Sequence, residues 1–492
     1  MNQHWSAPPN AGTALDPSPE AILEMARAAT EWVVEHHRSI RDRPVAPATS
    51  SAALREALAE PVPVEGRDFA SLLGAFREVV APGTRQNGHP RFFGYVSAPG
   101  TAIAAVADFL ASTLNANLPA WRSAPAAVEL ERLTIDWLRQ LLGCAPGTEG
   151  LFLSGGSMAH LTALAAARHR QCGQRVAEQG MAAHGPPLRL YTSTEAHHSI
   201  HKAAVLAGIG RRGVREVAVD GELRMDVEAL DRAIEQDRAA GADPFCVVAT
   251  AGTVGTGAVD PLAAVATVAD RHGLWLHVDA CYGGFARLAP STRALLDGLD
   301  AADSIAVDPH KWLYLPADCG CLLYRDPASM RAAFALEGSP TRVLEHDPAE
   351  AFAFFDHGPE LTRRFRALKV WMTLAHAGSR AIGQAIESNL DCARYAAELI
   401  EHSDEFELLA PTQLSIFCFR YRPPGAHHER DLDQLNERIM LALQRAGSSY
   451  LSNATVHGRF ALRGCVLNYR TTRHDMQVLL DDVRAAAAQV IR

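Results

Sequence analysis

The first part of the chain carries a helical pattern of apolar residues. Between Ala21 and His37 these residues recur at the spacing of one helix face, at Ile22, Met25, Ala26, Ala29, Trp32 and Val33. We therefore predict a helical N-terminal arm over residues 1–85, whose apolar stripe packs against a partner surface. The segment Met1 to Pro19 has no basic run followed by an apolar core, so we expect neither a secretory signal nor a transit peptide.

The middle of the chain, residues 86–383, alternates short apolar runs with amphipathic helical patterns. This rhythm is typical of an α/β domain built around a largely parallel sheet, in which buried strands read as continuous apolar runs. The runs that we predict as strands are Gly150–Leu153, Leu188–Tyr191, Phe245–Ala249, Leu274–Val278, Ser304–Val307 and Cys321–Tyr324.

The last part, residues 384–492, has the alternation of a small α+β domain. We predict a long helix, a strand over Leu414–Tyr421, a helix from Asp431 to Ala446, a strand over Arg459–Asn468 and a final helix from about Asp475. The chain thus divides into an arm, a large α/β domain and a small C-terminal domain.

Composition narrows the functional classes. The formal net charge of -9 leaves no broad basic face, which argues against a nucleic-acid partner and favours a small molecule. Charged residues interrupt every Ala-rich segment, so we expect no membrane span and a cytoplasmic protein. The nine cysteines suggest reduced thiols, and Cys319 and Cys321 are expected to be buried apolar residues; we predict no metal site.

Two charged residues follow predicted strands. Asp279 ends the run Leu276–Asp279, and Lys311 comes shortly after Ser304–Val307 in an apolar context. The carboxyl ends of parallel strands are where open α/β sheets bind ligands. A carboxylate there can pair with a protonated pyridine nitrogen, and a lysine can form an imine with an aldehyde. An aspartate at the end of a strand is usually a helix cap or a turn residue, and a single lysine usually lies on the surface. The combination of Asp279 with Lys311 is therefore better evidence for a ligand site than either residue alone.

Two further motifs bear on ligand binding. Ser154-Gly155-Gly156-Ser157 lies between a predicted strand and an Ala-rich helix, where free N–H groups suit a phosphate, although most such turns are only helix caps. His197 follows the run Leu188–Tyr191; it could stack on a planar ring or cap the next helix. The glycines of residues 252–257 lack the spacing of a dinucleotide-binding loop, so that interpretation is rejected.

Together these motifs resemble those of the group II pyridoxal-5′-phosphate (PLP) dependent amino acid decarboxylases. The resemblance covers nearly the whole chain. It is carried by His89-Pro90-Arg91-Phe92-Phe93, Ala124-Pro125-Ala126 with Glu129, Trp137-Leu138, Asp308-Pro309-His310-Lys311-Trp312, residues 363–369 and Leu462-Arg463.

The resemblance implies a fold and a set of roles. The fold is the aspartate aminotransferase type (fold type I), with a mostly parallel seven-stranded sheet, and the protein is a homodimer with shared active sites. Lys311 is the Schiff-base lysine, Asp279 the partner of the pyridine nitrogen, and His197 stacks on the ring. The phosphate is expected to be held by Gly155, Gly156, Ser157 and Ser304. Ala280 is expected to contact the cofactor ring, His310 to bind the cofactor, and Thr253 to support His197.

One departure from the family leaves the product open. Decarboxylases of this family carry a tyrosine on a loop after the lysine, and the corresponding residues, Phe334 to Asp347, contain none. In related aldehyde synthases the loss of that hydroxyl accompanies oxidative deamination. His346 is a candidate substitute donor. Decarboxylation is the leading hypothesis; an aldehyde synthase, an aminotransferase and a non-catalytic PLP-binding protein are the alternatives.

The substrate is predicted only as a class. An aromatic or other hydrophobic L-amino acid is the default, and Arg122 leaves room for an acidic side chain unless it forms an interface or cap ion pair. The candidate substrate residues are Tyr95, Val96, Ser97, Trp121 and Arg122.

Overall fold

The computed structural model describes residues 15–335, 347, 350–425 and 428–491. Its helices are α1 (Pro19–Ser39), α2 (Ser51–Ala57), α3 (Phe69–Ala75), α4 (Ala102–Leu114), α5 (Pro125–Leu142), α6 (Gly156–Gln179), α7 (Ser199–Leu206), α8 (Val227–Ala239), α9 (Leu262–Arg271), α10 (Pro327–Phe334), α11 (Ala367–Glu401), α12 (Glu429–Ala446) and α13 (Arg473–Ile491). Its strands are β1 (Glu149–Leu153), β2 (Leu188–Ser193), β3 (Val214–Val217), β4 (Asp243–Thr250), β5 (Trp275–Asp279), β6 (Ser304–Val307), β7 (Gly320–Tyr324), β8 (Phe406–Leu408), β9 (Ile416–Tyr421), β10 (Ser452–Val456) and β11 (Arg459–Cys465).

A seven-stranded sheet in the order β1-β7-β6-β5-β4-β2-β3 forms the centre of the large domain. Strand β7 is antiparallel to both β1 and β6, and the other neighbours pair in parallel. Strands β5, β6 and β7 are buried along their whole length, as expected when helices cover both faces. The predicted fold class is therefore confirmed. The apolar runs missed only β3 in this sheet, because two of its four residues are exposed.

The sheet topology gathers several strand ends at one edge. Because β7 is antiparallel to both of its neighbours, β1 runs in the same direction as β6, and hence as β5, β4 and β2. The loops that follow these strands all leave the sheet at the same edge. These loops contain the glycine turn before α6, His197, Asp279 and Lys311.

The small domain is built on an antiparallel sheet in the order β10-β11-β9-β8. Its core is separate from that of the large domain and includes Phe417, Phe419, Leu462 and Leu479. Helix α11 contributes to both cores, and it bends at Gly378, whose φ of 75° is outside the helical range. The predicted boundary at residues 383–384 lies inside α11, five residues after this kink, and the domain boundary itself stays a prediction.

The N-terminal helices have little contact with the rest of the chain. In the described part of the arm, no residue of α1, α2 or α3 is buried, and large apolar side chains such as Ile22, Leu23 and Val34 are exposed. The contacts that attach the arm include an ion pair of 2.6 Å between Arg41 and Asp475 and a hydrogen bond of 2.8 Å from Val45 N to Gly447 O. The arm as a separate unit stays a prediction.

Two simple expectations can be compared with this structure. All nine cysteines are free, and Cys319 and Cys321 are fully buried, as predicted. Within the described ranges, we found no helix with both the length and the apolar character of a membrane span.

A buried ion pair fixes the end of β1. Glu131 of α5 pairs with Arg363, and both side chains are almost completely buried. The Glu131 carboxylate also accepts a hydrogen bond from Phe152 N, and Arg363 donates to the carbonyls of Phe152 and Leu118. Because Phe152 lies two residues before Ser154, this pair holds the strand that leads into the glycine turn.

We predict that Arg363→Met destabilises the protein strongly. The substitution leaves the Glu131 carboxylate buried without its cation, and such a loss costs about 3–5 kcal/mol. The measurement is the midpoint of urea denaturation followed by circular dichroism. The matched control is Arg132→Met, which removes the exposed partner of Glu129 on the same helix and should cost less than about 1 kcal/mol. Equal shifts in the two variants would contradict this prediction.

Candidate active site

A cavity of about 390 Å³ lies at the edge where the parallel strands end. Each of the five neighbouring loops contributes to its wall, and α6 adds His160. The lining residues are Ser154, Gly155, Gly156, Ser157, Met158, His160, His197, Ser199, Gly252, Val254, Asp279, Cys281, Tyr282, Asp308, His310 and Lys311.

Lys311 lies between carboxylates. Its Nζ is 3.0 Å from Oδ2 of Asp308. Burial alone would lower the pKa of Lys311, but the nearby carboxylates of Asp308 and Asp279 outweigh it and raise the pKa above its usual value. The amine is therefore held in its ammonium form. The other oxygen of Asp308, Oδ1, is buried and has no hydrogen-bond partner within the described residues.

Asp279 is an ionised carboxylate at the end of β5. Its Oδ1 accepts a hydrogen bond from Cys281 N (3.1 Å), and its Oδ2 lies 3.4 Å from Nε2 of His160. Burial alone would raise the pKa of Asp279. The combined effect of His160, Lys311 and the Cys281 N–H is larger, so the pKa lies well below the usual value.

His197 presents a neutral imidazole to the cavity. Its Nδ1 accepts a hydrogen bond from Ser199 N (3.2 Å) and lies 2.6 Å from Ser199 Oγ, so the ring proton belongs on Nε2. Partial burial lowers the pKa of His197, with Asp279 acting in the opposite direction and Lys311 adding to the decrease. Since Ser199 is the first residue of α7, the imidazole caps that helix and lines the cavity at the same time.

The glycine turn places the start of α6 against the cavity. Helix α6 begins at Gly156, so the N–H groups of its first turn and the positive end of its dipole are directed at the cavity wall. A Cβ at Gly156 would lie 2.5 Å from Sγ of Cys281, whereas one at Gly155 would have 3.6 Å to its nearest neighbour, His310. Glycine at position 156 is thus a requirement of space.

The structure corrects the prediction for Ser304. This residue begins β6, at the edge of the sheet opposite to the cavity, and it is 1% exposed. Its hydroxyl accepts a hydrogen bond from Trp275 Nε1 (2.8 Å) and lies 2.8 Å from His277 Nδ1. Ser304 therefore does not bind a phosphate in the cavity.

Thr253 and Ala280 also lie outside the cavity wall. The hydroxyl of Thr253 lies 3.1 Å from Thr256 Oγ1 and accepts a hydrogen bond from Ala258 N, both within its own loop. Its support of His197 stays a prediction. Ala280 is fully buried beside Gly284, and its contact with a ligand ring stays a prediction. The predicted residues Gly155, Gly156, Ser157, His310, Lys311, His197 and Asp279 do come together.

The candidate substrate residues are not part of this cavity either. Tyr95 is half exposed, with a positive φ of 58° and its hydroxyl 3.5 Å from that of Tyr450. Ser97 accepts a hydrogen bond from Asn87, and Val96 is partly buried. Trp121 and Arg122 form the short turn before α5, where Arg122 is exposed. Their roles stay predictions.

Nine of the sixteen lining residues were not predicted as site residues, and three of them lie beside the charged groups: Asp308, His160 and Cys281. Asp308 follows β6 as Asp279 ends β5, so the strand-end criterion could have identified it. His160 lies four residues after Gly156, which places it on the helix face above the cavity edge. Cys281 had no local signal, because an isolated cysteine is usually a small buried apolar residue.

Comparison with known proteins gives a consistent result. Residues 52–422 match the model of the pyridoxal-dependent decarboxylase conserved domain. An aromatic-L-amino-acid decarboxylase of Bacillus atrophaeus is 33% identical over 476 residues, which cover 97% of each chain. A crystal structure of Oryza sativa TDC with PLP and tryptamine superposes with a TM-score of 0.90 at 30% identity, covering 98% of this chain and 100% of that one. The Rhodiola rosea 4-hydroxyphenylacetaldehyde synthase superposes with a TM-score of 0.87 at 28% identity, covering 96% and 99%.

We predict that Gly156→Ala weakens the binding of PLP about tenfold, the loss expected when a group that positions a site is displaced. The added methyl must push the Cys281 thiol out of its position between His160 and Asp279. Binding is measured by titrating the apoprotein with PLP and following its visible absorption. Gly221→Ala is the control, because a Cβ there would have no neighbour within 4 Å and the residue is exposed and outside the cavity. The double variant with Cys281→Ala should recover the affinity; failure to recover it would contradict the steric explanation.

Proposed function

The chain belongs to the family of pyridoxal-dependent decarboxylases and is a PLP-dependent carboxy-lyase that acts on an amino acid; from this premise, we propose that it converts an aromatic L-amino acid to its amine and carbon dioxide. The observation that carries the proposal is the convergence of Lys311, Asp279 and His197 on one cavity. The aromatic class is supported by relatives named as aromatic-L-amino-acid, tryptophan and tyrosine decarboxylases.

The residues present fit this cofactor. The start of α6, at Gly155, Gly156 and Ser157, would hold the phosphate through free backbone N–H groups. The ionised Asp279 would hold the protonated pyridine nitrogen, and Lys311 would bind the aldehyde carbon. When bound, the cofactor accepts the electrons of the broken Cα–carboxylate bond.

Asp308 has a role in preparing Lys311. An ammonium group is not a nucleophile, so Lys311 must lose a proton before it can attack a carbonyl carbon. The carboxylate of Asp308, at 3.0 Å, is placed to accept that proton. A protonated Asp308 would then be a hydrogen-bond donor beside the start of α6, where an ionised carboxylate would repel a phosphate.

His197 is proposed as the group that covers the cofactor ring and handles protons near the reacting carbon. Its lowered pKa keeps the ring neutral at pH 7, and Ser199 fixes the proton on Nε2. A neutral imidazole with a fixed N–H can donate a hydrogen bond to a substrate carboxylate or deliver a proton. Its attachment to the first turn of α7 holds it in place.

An aldehyde product is the second candidate. The sequence between Phe334 and Asp347 contains no tyrosine, and one structural neighbour is an aldehyde synthase. Residues 336–346, with the candidate donor His346, lie outside the described residues. The two outcomes share the loss of carbon dioxide and differ in whether oxygen is consumed.

We also propose a cytoplasmic homodimer, in which the arm lies across the partner chain. The support is apolar surface that one chain leaves uncovered: α4 alone exposes Val106, Phe109, Leu110 and Leu114. The nine free cysteines favour a reducing compartment. Residues such as Tyr95 and Trp121 would then contribute to a site shared by two chains. Light scattering that gave the mass of one chain would contradict the dimer.

The decisive experiment is a panel of L-amino acids with product identification in air and under nitrogen. We predict amine and carbon dioxide in equal amounts, no peroxide, and no dependence on oxygen. Peroxide equal to carbon dioxide would establish the aldehyde synthase instead, and a keto acid without carbon dioxide would establish an aminotransferase.

The cofactor link can be tested in the same preparations. The chain has three lysines, Lys202, Lys311 and Lys369. Borohydride should fix the cofactor on Lys311 alone, and Lys311→Ala should have no detectable turnover. Lys202→Ala, an exposed residue outside the cavity, is the control and should behave as wild type. Label on another lysine would refute the assignment.

We predict that His197→Phe lowers kcat by about 10²–10⁴-fold, the usual contribution of a positioned acid or base. The phenyl ring can still cover the cofactor, so the dissociation constant of PLP should change little. The measurements are steady-state kinetics and PLP titration. His198→Phe, which alters the exposed neighbour outside the cavity, is the control. An unchanged kcat in His197→Phe would contradict a role in proton handling.

A further inference from the structure

A chain of buried hydrogen bonds leads from the start of β5 to Asp279 at its end. The Trp275 Nε1–H donates to Ser304 Oγ at 2.8 Å, and Ser304 Oγ lies 2.8 Å from His277 Nδ1. The Nε2 of His277 is 2.9 Å from Nδ1 of His160, whose Nε2 is 3.4 Å from Oδ2 of Asp279. We infer that His160, His277 and Ser304 are positioning residues that set the orientation and charge of Asp279, an inference that rests on the proposed role of Asp279 toward the cofactor nitrogen.

The geometry of β5 creates this chain. Side chains on a strand alternate between its two faces, so Trp275, His277 and Asp279 share one face. Helix α6 passes over that face and contributes His160. Ser304 is the residue of β6 that pairs with His277. All five side chains are nearly or completely buried, so water does not compete for these bonds.

The direction of the bonds follows from the Asp279 end. An ionised carboxylate only accepts, so His160 must present an N–H on Nε2. With its single ring proton on Nε2, His160 accepts at Nδ1, which requires an N–H on Nε2 of His277. A neutral His277 in turn accepts at Nδ1, which requires the hydroxyl proton of Ser304. Ser304 completes the chain by accepting from Trp275, whose indole can only donate.

Burial supports this arrangement of protons. The pKa of His277 is lowered to about 3, mainly by burial and then by His160, so the ring is neutral at pH 7. The titratable groups that face His160 are Asp279, His277 and the Cys281 thiol, which lies 3.8 Å from Nε2. Burial raises the pKa of that thiol well above its usual value, so it is neutral too.

The chain has a consequence for the cofactor. With every donor and acceptor matched, the N–H on Nε2 of His160 is held toward Asp279. The carboxylate therefore keeps the negative charge that a protonated pyridine nitrogen requires. If the chain is broken, the imidazole of His160 can change tautomer and turn its lone pair toward Asp279, which would weaken the hold of Asp279 on that nitrogen.

The test uses His277→Leu and Ser304→Ala, two changes at residues that do not line the cavity. We expect PLP to bind about tenfold more weakly to His277→Leu, as for other groups that orient a binding residue. With PLP labelled in its ring nitrogen, the chemical shift of that nitrogen should move toward the unprotonated value. Ser304→Ala removes a single oxygen and should move both readouts in the same direction by less. It keeps the test decisive if His277→Leu does not fold.

A matched control separates positioning from stability. Thr192→Val removes a buried hydroxyl of β2 that donates to Val248 O at 3.1 Å, in the same sheet but outside the chain. It should lower the melting temperature without changing the ring-nitrogen shift. His277→Gln retains an amide donor toward His160 and should recover part of the affinity. A ring-nitrogen shift and affinity equal to wild type in both His277→Leu and Ser304→Ala would overturn the inference.

Failure of the positioning inference can be distinguished from failure of the proposed function. If wild-type protein binds no PLP on Lys311, the proposed function itself is wrong. If wild-type protein binds PLP with a protonated ring nitrogen and the variants do the same, only the inference about His160, His277 and Ser304 is wrong.

Discussion

The active site depends on the shared direction of five strands. Strands β1, β2, β4, β5 and β6 all end at one edge, and the reversed strand β7 keeps β1 in that common direction. One cavity thereby contains the start of α6, the imidazole of His197, the carboxylates of Asp279 and Asp308, and the ammonium group of Lys311. The start of α6 and Lys311 are about 150 residues apart in the chain. No single loop could collect these groups.

The charges at this edge are mutually dependent. Lys311 keeps its proton because the effect of Asp308 and Asp279 on its pKa is larger than the effect of burial. Asp279 stays ionised because His160, Lys311 and a backbone N–H lower its pKa by more than burial raises it. Removing any one of these groups leaves another charge buried without its partner, which is costly in a low-dielectric site. Within the described residues, Oδ1 of Asp308 is the carboxylate oxygen of that side chain without a hydrogen-bond partner.

Local patterns in the sequence were enough to predict most of the large sheet and one of its charged residues. Continuous apolar runs located six strands of that sheet. The rule that ligands bind at the carboxyl ends of parallel strands then singled out Asp279, the charged residue at the end of β5. The short strand β3 was missed because its exposed residues carry no apolar run. The predicted boundary at residues 383–384 divides α11, because one helix can pack its two halves into different cores without any change in its pattern.

Ser304 was misplaced for a related reason: it is close in sequence to Lys311 but begins β6, whereas the site is formed where β6 ends. Which edge of the sheet a residue occupies depends on the pairing of strands, and pairing is a property of the whole sheet.

The alternation of side chains along β5 places buried core residues and Asp279 on the same face of the sheet. Because side chains repeat every two residues along β5, the face that carries Asp279 into the cavity also carries His277 and Trp275 into the core. His160 looks like an ordinary core histidine in the sequence, yet its partners on β5 are more than one hundred residues away along the chain. Under the inference drawn above, a change on that face reaches Asp279 along these hydrogen bonds. The face of the sheet that α6 covers therefore combines core packing with the positioning of Asp279.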